Sequence, residues 1–150
     1  VKDDPARWKI LCAGRRFGKS RLGVQLCLEQ ALDGGRVWWV APTFAIARVG
    51  WRDVVAAAQS FPKQVGVDIK VGDMTVYFPS GGSIAVKSAD NPQRLRGEGL
   101  HYLVMDEAAF VREETWTEVL RPTLTENKGS ALFISTPIGM DNWFYKLWEK

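Results

Sequence analysis

Apolar positions along the chain fall into short strand-length runs separated by stretches with helical spacing. Residues 8–13 form an apolar run that enters a glycine-bearing turn. From Lys19 to Leu32 the spacing is that of a helix, closed by Asp33-Gly34-Gly35. Arg36–Ala41 (RVWWVA) reads as a second strand ended by Pro42. Residues 44–60 read as a helix, interrupted at most by Gly50 and stopped by Phe61-Pro62. This βαβα order predicts a parallel sheet with right-handed crossovers.

The pattern then changes. Residues 69–71, 75–78 and 83–86 are short β-like stretches separated by Gly-Asp and by Pro-Ser-Gly-Gly, which predicts an antiparallel hairpin at the sheet edge. Residues 88–99 are polar, a loop or short helix containing Asn91-Pro92. Residues 101–106 form an apolar strand ending in two acids, and a helix is expected over 113–125. Ser130–Ser135 is the last clear strand, and 142–150 has helical character. The sum is a three-layer α/β domain.

Composition narrows the class without changing this picture. The 150 residues are one domain's worth of chain, 46% hydrophobic and 25% charged, with no repeat or low-complexity tract, so disorder is not expected. No apolar run approaches the ~20 residues of a membrane span. Residues 1–5 lack the apolar region of a signal peptide, so a soluble intracellular protein is expected. Cys12 and Cys27 fall in a predicted strand and helix and read as reduced core residues, since no CxxC or Cys/His cluster accompanies them. The net charge of +3 is spread along the chain; it permits contact with nucleic acid and does not argue for it. Most of the seven tryptophans are expected in the core or at an interface, with stacking on DNA bases the alternative for an exposed one.

The strongest chemical signal is Ala13-Gly14-Arg15-Arg16-Phe17-Gly18-Lys19-Ser20, where a strand turns into a helix. In a phosphate-binding loop, backbone N–H groups and the helix N-terminus wrap the phosphates. The lysine reaches the β and γ oxygens, and the Ser/Thr hydroxyl helps hold Mg²⁺. Gly18, Lys19 and Ser20 match this pattern, whereas Ala13 stands where glycine is expected and Gly14 comes one place later. The plainer reading is a glycine turn before a helix with a surface lysine.

The second signal is Tyr102-Leu103-Val104-Met105-Asp106-Glu107, two carboxylates at a strand's carboxyl end, the edge where parallel α/β sheets bind ligands. There the first acid holds Mg²⁺ through water and the Ser20 hydroxyl, and the second polarises the water attacking the γ-phosphate. A solvated acidic turn capping the next helix is the alternative. Both signals falling at strand ends of one short chain favours an ATPase.

Two elements are weaker. Ser135 and Thr136 end the last strand and are candidates to sense the attacking water or the γ-phosphate, although Ser-Thr-Pro is also an ordinary turn. Arg15 and Arg16 lie in the loop, and Arg94 and Arg96 precede Gly97. An arginine on the transferring phosphoryl group supplies ~10³ to 10⁵ in rate, and a solvated surface arginine is the alternative for each.

Taken together, AGRRFGKS, WWVAPTF, SADNPQRLRG, YLVMDEAAF and FISTPIGMDNWFY resemble the ATPase domain of bacteriophage large terminase subunits over nearly the whole chain. The resemblance implies a RecA-like P-loop NTPase fold of the ASCE type. Its central sheet is mainly parallel, with the Ser-Thr strand between the phosphate-loop strand and the Asp-Glu strand. It implies ATP and Mg²⁺ as cofactors, with Gly14, Arg15, Arg16, Phe17, Gly18, Lys19 and Ser20 at the nucleotide. Ser20 and Asp106 would hold Mg²⁺, Glu107 would be the catalytic base, and Ser135 and Thr136 would form the coupling motif. Arg15 would respond to nucleotide in cis and Arg96 would act in trans on a neighbouring subunit.

The implied role is ATP-driven translocation of double-stranded DNA into a procapsid, in the cytoplasm of the bacterial host. The implied partners are portal protein and the small terminase subunit, with a homopentameric ring on the portal and a monomer as the alternative in solution. The family's upstream adenine-contacting segment and its nuclease domain have no counterpart in residues 1–150, so a fragment is expected. A superfamily 2 helicase lobe is the competing enzyme, since Asp106-Glu107-Ala108 resembles its acidic box, but it would need a second RecA-like lobe. A nucleotide-binding assembly module without turnover is the competing non-enzyme.

Overall fold

Strand β2 (Arg36–Ala41) holds the centre of a seven-stranded sheet, and its sequence explains the placement: Val37 through Ala41 are all buried, so both faces need cover. The structure, a computed structural model, describes residues 7–12, 18–135, 143 and 146, with Lys19 described through its backbone alone. The other strands are β1 (Trp8–Cys12), β3 (Asp68–Lys70), β4 (Thr75–Tyr77), β5 (Ser83–Ser88), β6 (Tyr102–Met105) and β7 (Ser130–Ser135), in the order β1-β7-β6-β2-β5-β4-β3. β1, β7, β6, β2 and β5 are parallel, and β4 and β3 continue β5 as an antiparallel edge. The expected edge hairpin is thus present, and its outermost strand is only three residues long with Asp68 and Lys70 exposed, which guards against edge-to-edge pairing.

Two apolar clusters flank the sheet, one on each face. Helices α1 (Lys19–Leu32) and α2 (Phe44–Gln59) cover one face, packing Val24, Cys27, Ala47 and Val54 against Trp39, Val104 and Ile134. On the other face, Trp38, Met105 and Phe133 meet Leu95, Ala108, Val111, Trp116 and Leu120 from the segments around β6. These layers make the three-layer α/β arrangement that the pattern predicts. Among the described residues no helix is long and apolar enough to cross a membrane.

Polar residues fix where α2 begins. Thr43 Oγ1 accepts from the Ile46 N–H at 3.3 Å as an N-cap, and Asp90 Oδ2 accepts from the Phe44 N–H at 3.3 Å. Inside α2, Gly50 is required by its neighbour: a Cβ there would stand 2.4 Å from Nε1 of Trp39. That fully buried indole finds no acceptor for its N–H among the described residues. Alanine at position 50 would gain about 1 kcal/mol of helix propensity but would overpack this contact at a cost of about 1–3 kcal/mol. Gly50→Ala is therefore expected to lower unfolding stability in urea by about 1 kcal/mol, the middle of a net range of about 0–2 kcal/mol; higher stability would contradict the close approach.

One element differs from expectation. The region read as a helix over 113–125 contains a π-helical segment, Thr115–Leu120, followed by a single α-helical turn, Arg121–Thr123. The Arg121 N–H reaches back to the Trp116 carbonyl, an i→i−5 bond. Pro122 supplies the reason: it has no N–H to give and its ring crowds the carbonyl four residues earlier, so the preceding turn widens. The stretch 88–99 contains a 3₁₀ turn, Pro92–Leu95, with Leu95 buried. Trp143 and Lys146 are helical, and the rest of 142–150 lies outside the described residues.

Candidate active site

The topology gathers the candidate chemistry before any side chain is considered. β1, β7 and β6 are adjacent and parallel, so their carboxyl ends at Cys12, Ser135 and Met105 lie at one edge of the sheet. The registers align Cys12 with Ser135 and Met105 with Phe133. The Asp106 N–H continues the ladder by donating to the Val40 carbonyl at 2.8 Å. Strand alternation then separates the polar residues: Val104 and Ile134 face α1, so Asp106 comes next on the α1 side, whereas Ser135 falls with Phe133 on the opposite face.

Gly18 turns the chain into α1 with φ +75, a left-handed conformation glycine adopts without cost; a Cβ there would have nothing within 4 Å, so the requirement is conformational. Among the described residues no side chain caps α1, and its first turn carries no acid. Its first-turn N–H groups, which have no partner within the helix, and its positive dipole end thus suit an anion. Ser20 in that first turn is half-buried. The groove it lines with Arg21, Gln25, Leu28 and Asp53, about 790 Å³, runs between α1 and α2 rather than over the sheet edge. Gly14, Arg15, Arg16 and Phe17, the side chain of Lys19, and Thr136 lie outside the described residues.

Asp106 is buried and Glu107 half-buried. Glu107 has φ 48 and ψ 49, the left-handed region that costs a residue with a Cβ about 1–2 kcal/mol. The next element is a 3₁₀ turn over Ala108–Phe110 and not a longer helix, and the Glu107 side chain does not cap it. The structure therefore does not support an acid placed there as a helix cap. Nothing in the sequence YLVMDEAAF signals this backbone, since glutamate, alanine and alanine together favour a helix.

Ser135 is fully buried, and its Oγ accepts from the Ala109 N–H at 3.4 Å. Its observed partner is thus the turn after Glu107. Trp143, read from the sequence only as part of a helix, donates its indole N–H to the Val111 carbonyl at 2.6 Å at the end of the same turn. The two arginines ahead of Gly97 part company. Arg94 lines a hollow with Phe44, Lys87, Asp90 and Asn91 at the carboxyl end of β5. Arg96 is exposed, its Nε donates to Gln93 Oε1 at 3.0 Å, and the residues around it, Glu118, Pro122, Thr123 and Glu126, belong to the covering layer.

The donor chemistry fits a hard cation shared with phosphates. A hydroxyl (Ser20) and a carboxylate (Asp106) are oxygen ligands of the kind Mg²⁺ prefers, and nucleotide-bound Mg²⁺ needs only one or two from the protein. Among the described residues no group of three or more His, Cys, Asp or Glu side chains is gathered for a metal. Burial pushes the Cys27 thiol well above its ordinary range, as expected of an inert core cysteine, and both cysteines are free.

Comparison with known proteins agrees with this arrangement. Residues 10–150 match the family model described as terminase large subunit, T4likevirus-type, N-terminal. The chain is 34% identical over 160 aligned residues to the terminase large subunit of Thermus virus P23-45, covering 94% of this chain. It is 30% identical to that of Escherichia phage T5, covering 96% of this chain. In each case it spans about 33% of the relative's length. Its fold superposes on the large terminase ATPase domain of Thermus phage P74-26 with a TM-score of 0.81 at 32% identity, over 96% of this chain and 64% of that one. The sheet is thus RecA-like, with the strand ending in Ser135 between the other two, and the chain belongs to the N-terminal domain family of terminase large subunits.

Proposed function

We propose that this chain is the ATPase portion of a DNA-packaging motor, hydrolysing ATP with Mg²⁺ to drive double-stranded DNA into a procapsid. The observation that carries the reading is the adjacency of β1, β7 and β6, whose carboxyl ends at Cys12, Ser135 and Met105 share one edge of the sheet and are followed in the sequence by the candidate phosphate loop, by Thr136 and by Asp106-Glu107. The α1 N-terminus after Gly18, with Gly14, Arg15, Arg16, Phe17 and Lys19, receives the phosphates. Ser20 and, through water, Asp106 would hold Mg²⁺, which when bound would supply charge neutralisation to the phosphates. Glu107 orients and polarises the attacking water, and Arg15 stabilises charge from within the subunit.

Arg96 acts on a neighbouring subunit's nucleotide; its exposed position in the covering layer leaves it accessible to another copy. The assembly in this reading is a homopentameric ring on the portal, working with the small terminase subunit in the host cytoplasm. These residues supply the motor's ATPase chemistry, and DNA cleavage is not assigned to them. Calorimetry tests the nucleotide site: the chain with Mg²⁺ is expected to take up ATP, and Lys19→Ala to abolish measurable uptake while remaining folded. Equal uptake by the variant would overturn the assignment of the loop.

A further inference from the structure

Glu107 sits in an unfavourable backbone conformation, so whatever holds the turn behind it also sets where its carboxylate stands. That turn closes on itself through the Phe110 N–H to the Glu107 carbonyl at 3.0 Å and the Val111 N–H to the Ala108 carbonyl at 3.0 Å, and Ala108 and Val111 are buried. Two further bonds reach it from the chain on either side of Thr136. Ser135 Oγ accepts from the Ala109 N–H, and the Trp143 indole N–H donates to the Val111 carbonyl.

Trp143 is itself fixed by rings. It meets Phe133 of β7 edge-on at 6.2 Å, Phe133 meets Trp116 at 4.8 Å, and Trp116 meets Trp8 of β1 at 5.2 Å. This T-shaped series crosses from β1, which feeds the phosphate loop, through the segment after the turn and β7.

We infer that Trp143 and Ser135 are positioning residues that clamp the 108–111 turn and thereby hold the Glu107 carboxylate where it activates the attacking water. The inference rests on the ATPase reading and deepens it. Each residue acts on Glu107 through one hydrogen bond to the turn behind it.

Trp143→Phe is the informative variant, because it removes the N–H donor while keeping an aromatic ring, though a smaller one, to pack on Phe133. Steady-state hydrolysis is expected to show kcat lowered about ten- to hundredfold, the scale of a catalytic group misplaced by a fraction of an ångström to an ångström, with KM for ATP unchanged. Ser135→Ala is expected to show the same split. The double variant should lose less than the product of the two losses, since both bonds serve one turn.

Hydrogen exchange of the 108–111 amides should quicken in both variants. An unchanged kcat in a parent-like fold, or a raised KM at constant kcat, would overturn the clamp. If Trp143→Phe fails to fold, Ser135→Ala decides by the same readouts. Parent chain without Lys19-dependent hydrolysis would overturn the ATPase reading, and the clamp with it; hydrolysis by the parent that neither variant alters would overturn the clamp alone.

Discussion

Glu107→Gln is expected to lower kcat for ATP hydrolysis by about 10²- to 10⁴-fold while leaving ATP affinity close to that of the parent. The amide keeps the size and shape of the side chain but cannot take a proton from water, so the loss falls on the chemical step. Binding survives because its contacts are assigned elsewhere, to the loop, Lys19, Ser20 and Asp106. Fold stability should also survive, since Glu107 is half-buried and its left-handed φ of 48 suits neither amide nor acid better. Phosphate-release kinetics beside calorimetric titration check this. Equal loss of affinity and rate would mean that Glu107 serves binding, and an unchanged rate would remove it as the base.

Arg96→Ala carries the second large expected effect, up to about 10³-fold or more, under one condition. If Arg96 completes a neighbour's site, the parent's rate per subunit rises with protein concentration and the variant's does not. At low concentration the two should be alike. An arginine acting within its own subunit would give a loss at every concentration. Arg94 is the internal control, since it lies at the carboxyl end of β5 beside Asp90 while Arg96 lies in the covering layer. A concentration-dependent loss in Arg94→Ala in place of Arg96→Ala would move the trans role by two residues.

The sheet was legible because its strands are short apolar runs with firm stops: Arg36–Ala41 before Pro42, Ser130–Ser135 before Thr136-Pro137, and, for the first helix, Lys19–Leu32 before Asp33-Gly34-Gly35. Local pattern carried that information. The π-helical segment was not legible, because Glu113, Glu114 and Trp116 through Leu120 have ordinary helical spacing and only the placement of Pro122 bends the ladder.

The site shows the same division. Residue type and strand-end placement marked Gly18, Lys19, Ser20, Asp106 and Glu107 as candidates. The contacts that position them did not show. The left-handed backbone at Glu107 has no local signal in the sequence, and the Ser135 and Trp143 bonds join residues 26 and 32 positions apart from their partners. Such contacts leave no local periodicity, and Trp143 read simply as one apolar residue of a helix.

The most direct measurement is a crystal structure of the chain with a non-hydrolysed ATP analogue and Mn²⁺ in place of Mg²⁺, located by its anomalous signal. The account predicts the metal beside the Ser20 hydroxyl, with Asp106 within one water of it, the γ-phosphate on Lys19 and the α1 N-terminus, and the Glu107 carboxylate facing the phosphorus. A nucleotide bound elsewhere, or phosphates seated more than about 10 Å from Asp106 and Glu107, beyond water-bridged reach, would contradict it.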